Sequence, residues 1–268
     1  MPPPTITHAL FDMDGLLLDT EACYSVAQVA VLEALGVDGA RFTPQLKAKM
    51  MGRRALEAAA VLVQDLGLEG VVSPQGFVSR REAELAALFP TAALMPGAAR
   101  VVAHLVAHLG SANVAVATSS QRYGEVGWGG GARGRRPRTR SPSLPPPPRR
   151  HFELKSASHA ALFSSFGHIV TGDDPAVTAG KPDPSIFNVA ASRFPAPPPA
   201  PAAVLVFEDA PIGVQAAIAA GMRCVHVPDS RWAVPGGEGG GDATACAVVP
   251  SLEDWRPEDW GLPPYADA

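Results

Sequence analysis

Short β-rich apolar runs alternate with helical patterns along most of this chain, and that alternation constrains its fold more than any other feature. "HALF" (8–11), "NVAVAT" (113–118), "HIVTG" (168–172), "AVLVFED" (203–209) and "CVHVPD" (224–229) each end in polar or turn residues. Runs of this kind read as buried strands. Helical patterns follow at 97–109, 183–194 and 211–222. In the last, Pro211 suits a first helical turn and Gly221 a helix end. The alternation predicts an α/β fold with a doubly wound parallel sheet, covered by helices on both faces. Residues 20–91 depart from it. They show no clear strand, and "TEACYSVAQVAVLEAL", "ALEAAAVLVQDL" and "FVSRREAELAALF" read as helices. The expected division is a core of 1–19 and 92–268, with a small helical domain inserted at 20–91.

Composition narrows the class. With 47% apolar residues among 268 there is ample material for a core, and a net charge of −4 points to no nucleic-acid partner for the chain as a whole. Cys23, Cys224 and Cys246 are scattered and odd in number, which suits a reducing compartment and argues against a disulfide framework. No apolar run approaches the ~18 residues of a membrane span. "MPPPTITH" has no charged or apolar targeting region before the first strand. The expectation is a cytoplasmic monomer with no membrane partner.

In a parallel sheet the loops at the carboxyl ends of the strands meet in one crevice, where ligands bind. Four such ends carry polar residues here. Asp12 and Asp14 follow the first strand, and Thr118, Ser119 and Ser120 the second. Lys181 lies shortly after the third, and Glu208 and Asp209 end the fourth. Each has a plain structural use as well: loop-capping carboxylates, a helix N-cap, a surface lysine. Taken together, the set suits phosphoryl transfer. A carboxylate can attack phosphorus. Mg²⁺ held by carboxylates can offset the repulsion between two anions. Lysine and hydroxyl groups can hold the transferring oxygens. A cation of this kind answers the repulsion between Asp12 and Asp14, and Gly15 lets the chain turn beside them.

"FDMDG", "ATSS", "GKPDP" and "FEDAPIGVQAAIAAGM" match, in order, the four motifs of the haloacid dehalogenase-like superfamily. The chain resembles it over nearly its whole length except 122–150. "FPTAALMPGA", "GDDP…GKPDPSIF" and "WGLPPY" are similar to the pseudouridine-5′-phosphatase and plant glycerol-3-phosphatase group. The resemblance implies a Rossmann-like core with a helical cap at 20–91. It implies a Mg²⁺-dependent phosphatase acting through an aspartyl-phosphate on a small phosphorylated metabolite, with pseudouridine 5′-phosphate or glycerol 3-phosphate the first candidates. By the same resemblance Asp12 is the nucleophile and Asp14 the general acid/base. Thr118, Ser119 and Ser120 bind phosphate, and Lys181 steadies both nucleophile and phosphate. Asp12, the Asp14 carbonyl, Glu208 and Asp209 hold the metal. Gly52, Arg53 and Arg54 match a cap loop that reaches the substrate. A phospho-accepting receiver domain also uses Asp, Thr/Ser and Lys, but it lacks the helical insert and the second Asp.

Residues 122–150 are foreign to that pattern. They hold 8 Arg, 6 Gly and 6 Pro in 29 positions, carry +7, and leave −11 for the rest of the chain. A segment with this composition and no periodicity is expected to be disordered. Three readings compete: a translated intron, a genuine surface insertion, and a basic nucleic-acid-binding segment. The segment begins one residue after Gln121 and so adjoins the helix start whose amides should meet the phosphate. A catalytically impaired relative, or a binding protein using this basic tract, is therefore the alternative to an active phosphatase.

Overall fold

The expected strands assemble into one parallel sheet. The computed structural model describes residues 5–50, 55–120, 151–229, 231 and 246–266; the insertion at 122–150 and Gly52, Arg53 and Arg54 lie outside the described residues. Strands β1 (His8–Phe11), β2 (Val114–Thr118), β3 (His168–Thr171), β4 (Val204–Glu208), β5 (Arg223–His226) and β6 (Cys246–Val248) lie in the order β3-β2-β1-β4-β5-β6. Every neighbouring pair is parallel. Five of the six fall on the runs read from the sequence. The exception is β6, whose three residues are too short to show a period.

The period of two explains why these strands read as nearly continuous apolar runs. Ala9, Phe11, Val114, Val116, Leu205, Phe207 and Val225 enter one core layer with Val101, Val102 and Leu105 of α5 (Ala98–Leu109). Leu10, Ala115, Ala117, Val204, Val206 and Cys224 enter the other. There they meet α8 (Ser185–Ser192) and α9 (Pro211–Ala219). Phe11 and Phe207 are register partners and stack with centroids 4.6 Å apart. Two further short helices, α6 (His151–Ser156) and α7 (Ala160–Phe163), precede β3.

Residues 20–88 form a helical layer: α1 (Thr20–Ala34), α2 (Pro44–Met50), α3 (Ala55–Asp65) and α4 (Pro74–Leu88). It has a core of its own, with Val31, Leu32, Leu46, Leu62, Val63 and Phe77 among its buried members. Asp19 caps α1 by accepting from the Ala22 amide at 3.2 Å. Ser73 does the same for α4 from Gly76 at 3.1 Å, with Pro74 in the first turn. This cap starts α4 three residues before the periodic stretch expected from the sequence. Helix α2 was not legible from periodicity. Its Lys47 is buried against the polar stripe of α1, 3.0 Å from Glu21 Oε2 and 2.8 Å from Ser25 Oγ. The two connections to the sheet run side by side: the Asp19 amide donates to the Ala93 carbonyl and the Met95 amide to Leu17, each at 2.9 Å. Among the described residues no helix is long and apolar enough to cross a membrane.

Candidate active site

The order of strands reverses at β1, which lies between β2 and β4. A crevice opens at the carboxyl end of such a switch point, and Asp12 and Asp14 leave β1 directly into it. Gly15 turns the chain there with φ +79°, and an added Cβ would collide with the Asp209 carboxylate. A side chain at 15 is therefore excluded twice, by conformation and by space.

Asp12 is buried and faces Lys181, whose Nζ lies 2.5 Å from Asp12 Oδ1 and also pairs with Glu208. Burial works against the charge of Lys181, but Asp12 and Glu208 outweigh it and hold the ammonium above its ordinary pKa. Glu208 is buried as well, and its Oε2 accepts from the amides of Asp209 and Ala210 at 3.1 and 3.2 Å. It therefore braces the loop that leads into α9 while facing the site. The Glu208 carboxylate occupies the space where a Cβ on Gly213 would sit.

One ammonium among three carboxylates leaves an excess of negative charge. Asp12, Glu208 and Asp209 each offer an oxygen within 4.8 Å of the others. Burial, with the charges of Glu208 and Asp14 adding, pushes Asp12 up to about 7 despite Lys181. Burial and the charges of Glu208 and Asp12 raise Asp209 well above the carboxylate range. Oxygen-only donors that are too crowded to ionise together are the set a hard divalent cation would complete. The residues present fit such an ion.

Asp14 points elsewhere. Its Oδ1 lies 2.6 Å from Lys155 Nζ and its Oδ2 accepts from Ser120 Oγ at 2.5 Å. Lys155 Nζ also donates to Ser120 Oγ at 2.9 Å, closing a triangle. Burial raises the Asp14 carboxyl, but Lys155 and Ser120 more than reverse this and hold it below its ordinary value. The carboxylate cluster thus contains Asp12, Glu208 and Asp209 but not the Asp14 side chain. Only the Asp14 carbonyl is left as a donor from that residue.

Thr118 is fully buried at the end of β2, and its hydroxyl accepts the Ser120 amide at 3.0 Å. That amide, expected to face a phosphate, is thus bonded within its own loop. Ser119 is exposed. The structure brings together Asp12, Asp14, Thr118, Ser120, Lys181, Glu208 and Asp209. Lys155 was missed in the sequence. It stands 141 positions from Asp14, and "HFELKS" carries no spacing that ties a lysine to a distant loop.

Comparison with known proteins agrees with this geometry. The model of the haloacid dehalogenase-like hydrolases matches residues 6–221. (DL)-glycerol-3-phosphatase 2 of Arabidopsis thaliana is 41% identical over 98% of this chain and 95% of its own length. A Drosophila melanogaster protein described as a probable pseudouridine-5′-phosphatase is 39% identical over 98% and 96%. The crystal structure of a hydrolase of this family from Deinococcus radiodurans, with bound phosphate and sodium, superposes with a TM-score of 0.66. At 23% identity over 97% of this chain and 99% of that one, it shows a likeness of fold. A family match over most of the chain, and relatives of this identity over nearly all of it, place the protein among the haloacid dehalogenase-like hydrolases.

Proposed function

We propose that this phosphoric monoester hydrolase uses Asp12 to take the phosphoryl group from a small phosphate ester, glycerol 3-phosphate or pseudouridine 5′-phosphate being the first substrates to try. The observation that carries this reading is the division of two neighbouring aspartates between two buried lysines beside a three-carboxylate cluster. Lys181 holds Oδ1 of Asp12 and leaves Oδ2 for attack on phosphorus. The negative charge of the bound phosphate ester lets Asp14 take up a proton from solvent. As the Asp12–phosphorus bond forms, the bond from phosphorus to the ester oxygen breaks, and Asp14 delivers that proton to the departing oxygen. Asp14 then accepts a proton from water, whose oxygen displaces Asp12 and releases phosphate. Thr118, Ser119 and Ser120 line the phosphate side and Lys181 steadies it. Asp12, Glu208, Asp209 and the Asp14 carbonyl would hold Mg²⁺, which when bound supplies the positive charge that lets two anions approach.

Helices α1–α4, spanning residues 20–91 with their flanks, act as a cap over this site, with 1–19 and 92–268 as the core. Their separate core supports that division. Gly52, Arg53 and Arg54, by their place in the chain, would reach the substrate from this cap. A cap that closes over the site favours small substrates. The buried Cys23 thiol, outside any disulfide, suits a reducing compartment, and the enzyme is read as cytoplasmic and monomeric.

Phosphate release from both substrates, with and without Mg²⁺, tests the reading. Turnover that needs Mg²⁺ and is lost in Asp12→Asn by at least about 10⁴-fold is expected. Absence of turnover on any phosphate monoester would reduce the four motifs to ancestry.

A further inference from the structure

Lys155 is a buried cation in contact with Asp14 that this mechanism leaves without a role. It sits on α6 with 1% of its side chain exposed. A buried ammonium is costly unless it is paired and hydrogen-bonded, so its placement is not incidental packing. Its partners are both on the reacting side: Asp14 Oδ1 at 2.6 Å and Ser120 Oγ at 2.9 Å. Ser120 in turn grips the other Asp14 oxygen. The Phe89 ring centroid lies 4.4 Å from Nζ and that of Tyr24 5.4 Å. Tyr24 belongs to α1 and Phe89 follows the end of α4, so the ammonium is enclosed by aromatic faces.

Helix α6 is fixed at both ends. His151 Nε2 lies 2.7 Å from Glu82 Oε2 of α4. Phe152 is buried in the sheet core, and Leu154 packs against the Cys23–Ala27–Phe89 cluster. The lysine is therefore delivered to Asp14 from a frame built jointly by the sheet core and the helical layer.

We propose that Lys155 is a positioning residue for Asp14. With Ser120 it holds both carboxylate oxygens and directs the carboxyl toward the helical layer, the side on which the ester oxygen must leave phosphorus. This rests on the phosphatase reading above and adds a residue that none of the four motifs contains.

The test compares two esters that differ in their need for Asp14. Breaking an alkyl phosphate bond requires a proton for the leaving oxygen, whereas p-nitrophenolate departs without one. The quantity is kcat/KM, which reports events up to the first irreversible step. For Lys155→Met, a loss of about 10²-fold or more on glycerol 3-phosphate (or whichever alkyl phosphate the wild type hydrolyses) is expected, with less than about 10-fold on p-nitrophenyl phosphate. The double variant with Asp14→Asn should be no slower than Asp14→Asn alone, since groups acting as one unit are not additive. Ser120→Ala, a small change that buries no unpaired charge, should show the same leaving-group bias at smaller size. This keeps the test open if Lys155→Met fails to fold. Equal losses on both esters in Ser120→Ala and Lys155→Met, or additivity with Asp14→Asn, would overturn the role of Lys155 and leave the phosphatase standing. A wild type that releases phosphate from neither ester would overturn both.

Discussion

Asp12 and Asp14 stand two residues apart on one loop, yet they occupy opposite electrostatic neighbourhoods. On the Asp12 side, Lys181 alone faces Asp12, Glu208 and Asp209. On the Asp14 side, one carboxylate meets one ammonium and the hydroxyls of Ser120 and Thr118. The first neighbourhood carries surplus negative charge and the second is balanced. The fold separates two like charges by giving each its own lysine from opposite sides of the loop. It leaves the deficit where a metal ion would complete the set, and it keeps Asp14 out of that set.

The sharpest way to break this comparison is to neutralise each aspartate in the metal-free protein. Asp14→Asn leaves Lys155 buried beside an amide and is expected to cost about 3–5 kcal/mol in urea unfolding with EDTA present. Asp12→Asn removes one of three crowded carboxylates and is expected to leave the protein equally or more stable above pH 7, since Lys181 keeps Glu208. The pH dependence has opposite signs. Asp12 is raised from 3.8 to about 7, so between about pH 4 and 7 the native state holds a proton that the unfolded chain lacks. Its contribution therefore falls as pH rises through that window. Asp14 is lowered, so its contribution is present above its unfolded pKa and is lost as pH falls through its folded one. A wild-type stability that drops between about pH 4 and 7 in EDTA, with the drop reduced in Asp12→Asn, is the expected result. Equal destabilisation by both variants would erase the distinction.

A smaller effect should fall on one side only. In Gly213→Ala the new methyl enters the space of the Glu208 carboxylate. Overpacking of this kind costs about 1–3 kcal/mol, and Glu208 must shift. The Mg²⁺ concentration giving half-maximal phosphate release should rise by about tenfold, equivalent to about 1.4 kcal/mol of lost ion binding. The preference between alkyl and p-nitrophenyl esters, which reports on Asp14, should stay unchanged. An unaltered Mg²⁺ requirement would remove Glu208 from the cluster.

The difference between the two sides is also a difference in what the chain discloses. Lys181 was legible because "GKPDP" is short, follows a strand, and falls in order with the other strand ends. Asp12, Glu208 and Asp209 were legible for the same reason: strand ends in a parallel sheet converge, so linear order predicts spatial meeting. Lys155 sits inside a helix behind the sheet, and the distance to Asp14 is set by how α6 packs on Phe89 and Tyr24. That packing is tertiary and has no local signature. The pairing of Lys47 with Glu21 and Ser25 was hidden for the same reason, although the polar stripe on α1 that receives it was visible. The α/β class and five strands were readable because the core layers impose a strict period. β6 and α2, with 3 and 7 residues, are too short to show one.

The smallest effect on activity is expected from removing 122–149, which would join Arg150 to Gln121. The elements flanking the segment already meet: Ser120 Oγ is 2.9 Å from Lys155 Nζ, and His151 lies one helical turn before Lys155. The position of α6 is set by His151 on Glu82, Phe152 in the sheet core and Lys155 on Asp14, none of which belongs to the deleted stretch. Shortening the connection from 30 residues to 2 is about four halvings, each returning about 0.6 kcal/mol of closure entropy, so stability should rise by no more than about 2–3 kcal/mol. Phosphate release should stay within about twofold on both classes of ester, by the criterion that ordered contacts rather than the segment hold the site. A loss confined to alkyl phosphates would instead show that the segment helps seat α6, and would place it on the Asp14 side. A loss on both esters would tie it to the end of β2, where Thr118 and Ser120 meet Asp14 and which the proposed mechanism assigns to the phosphate.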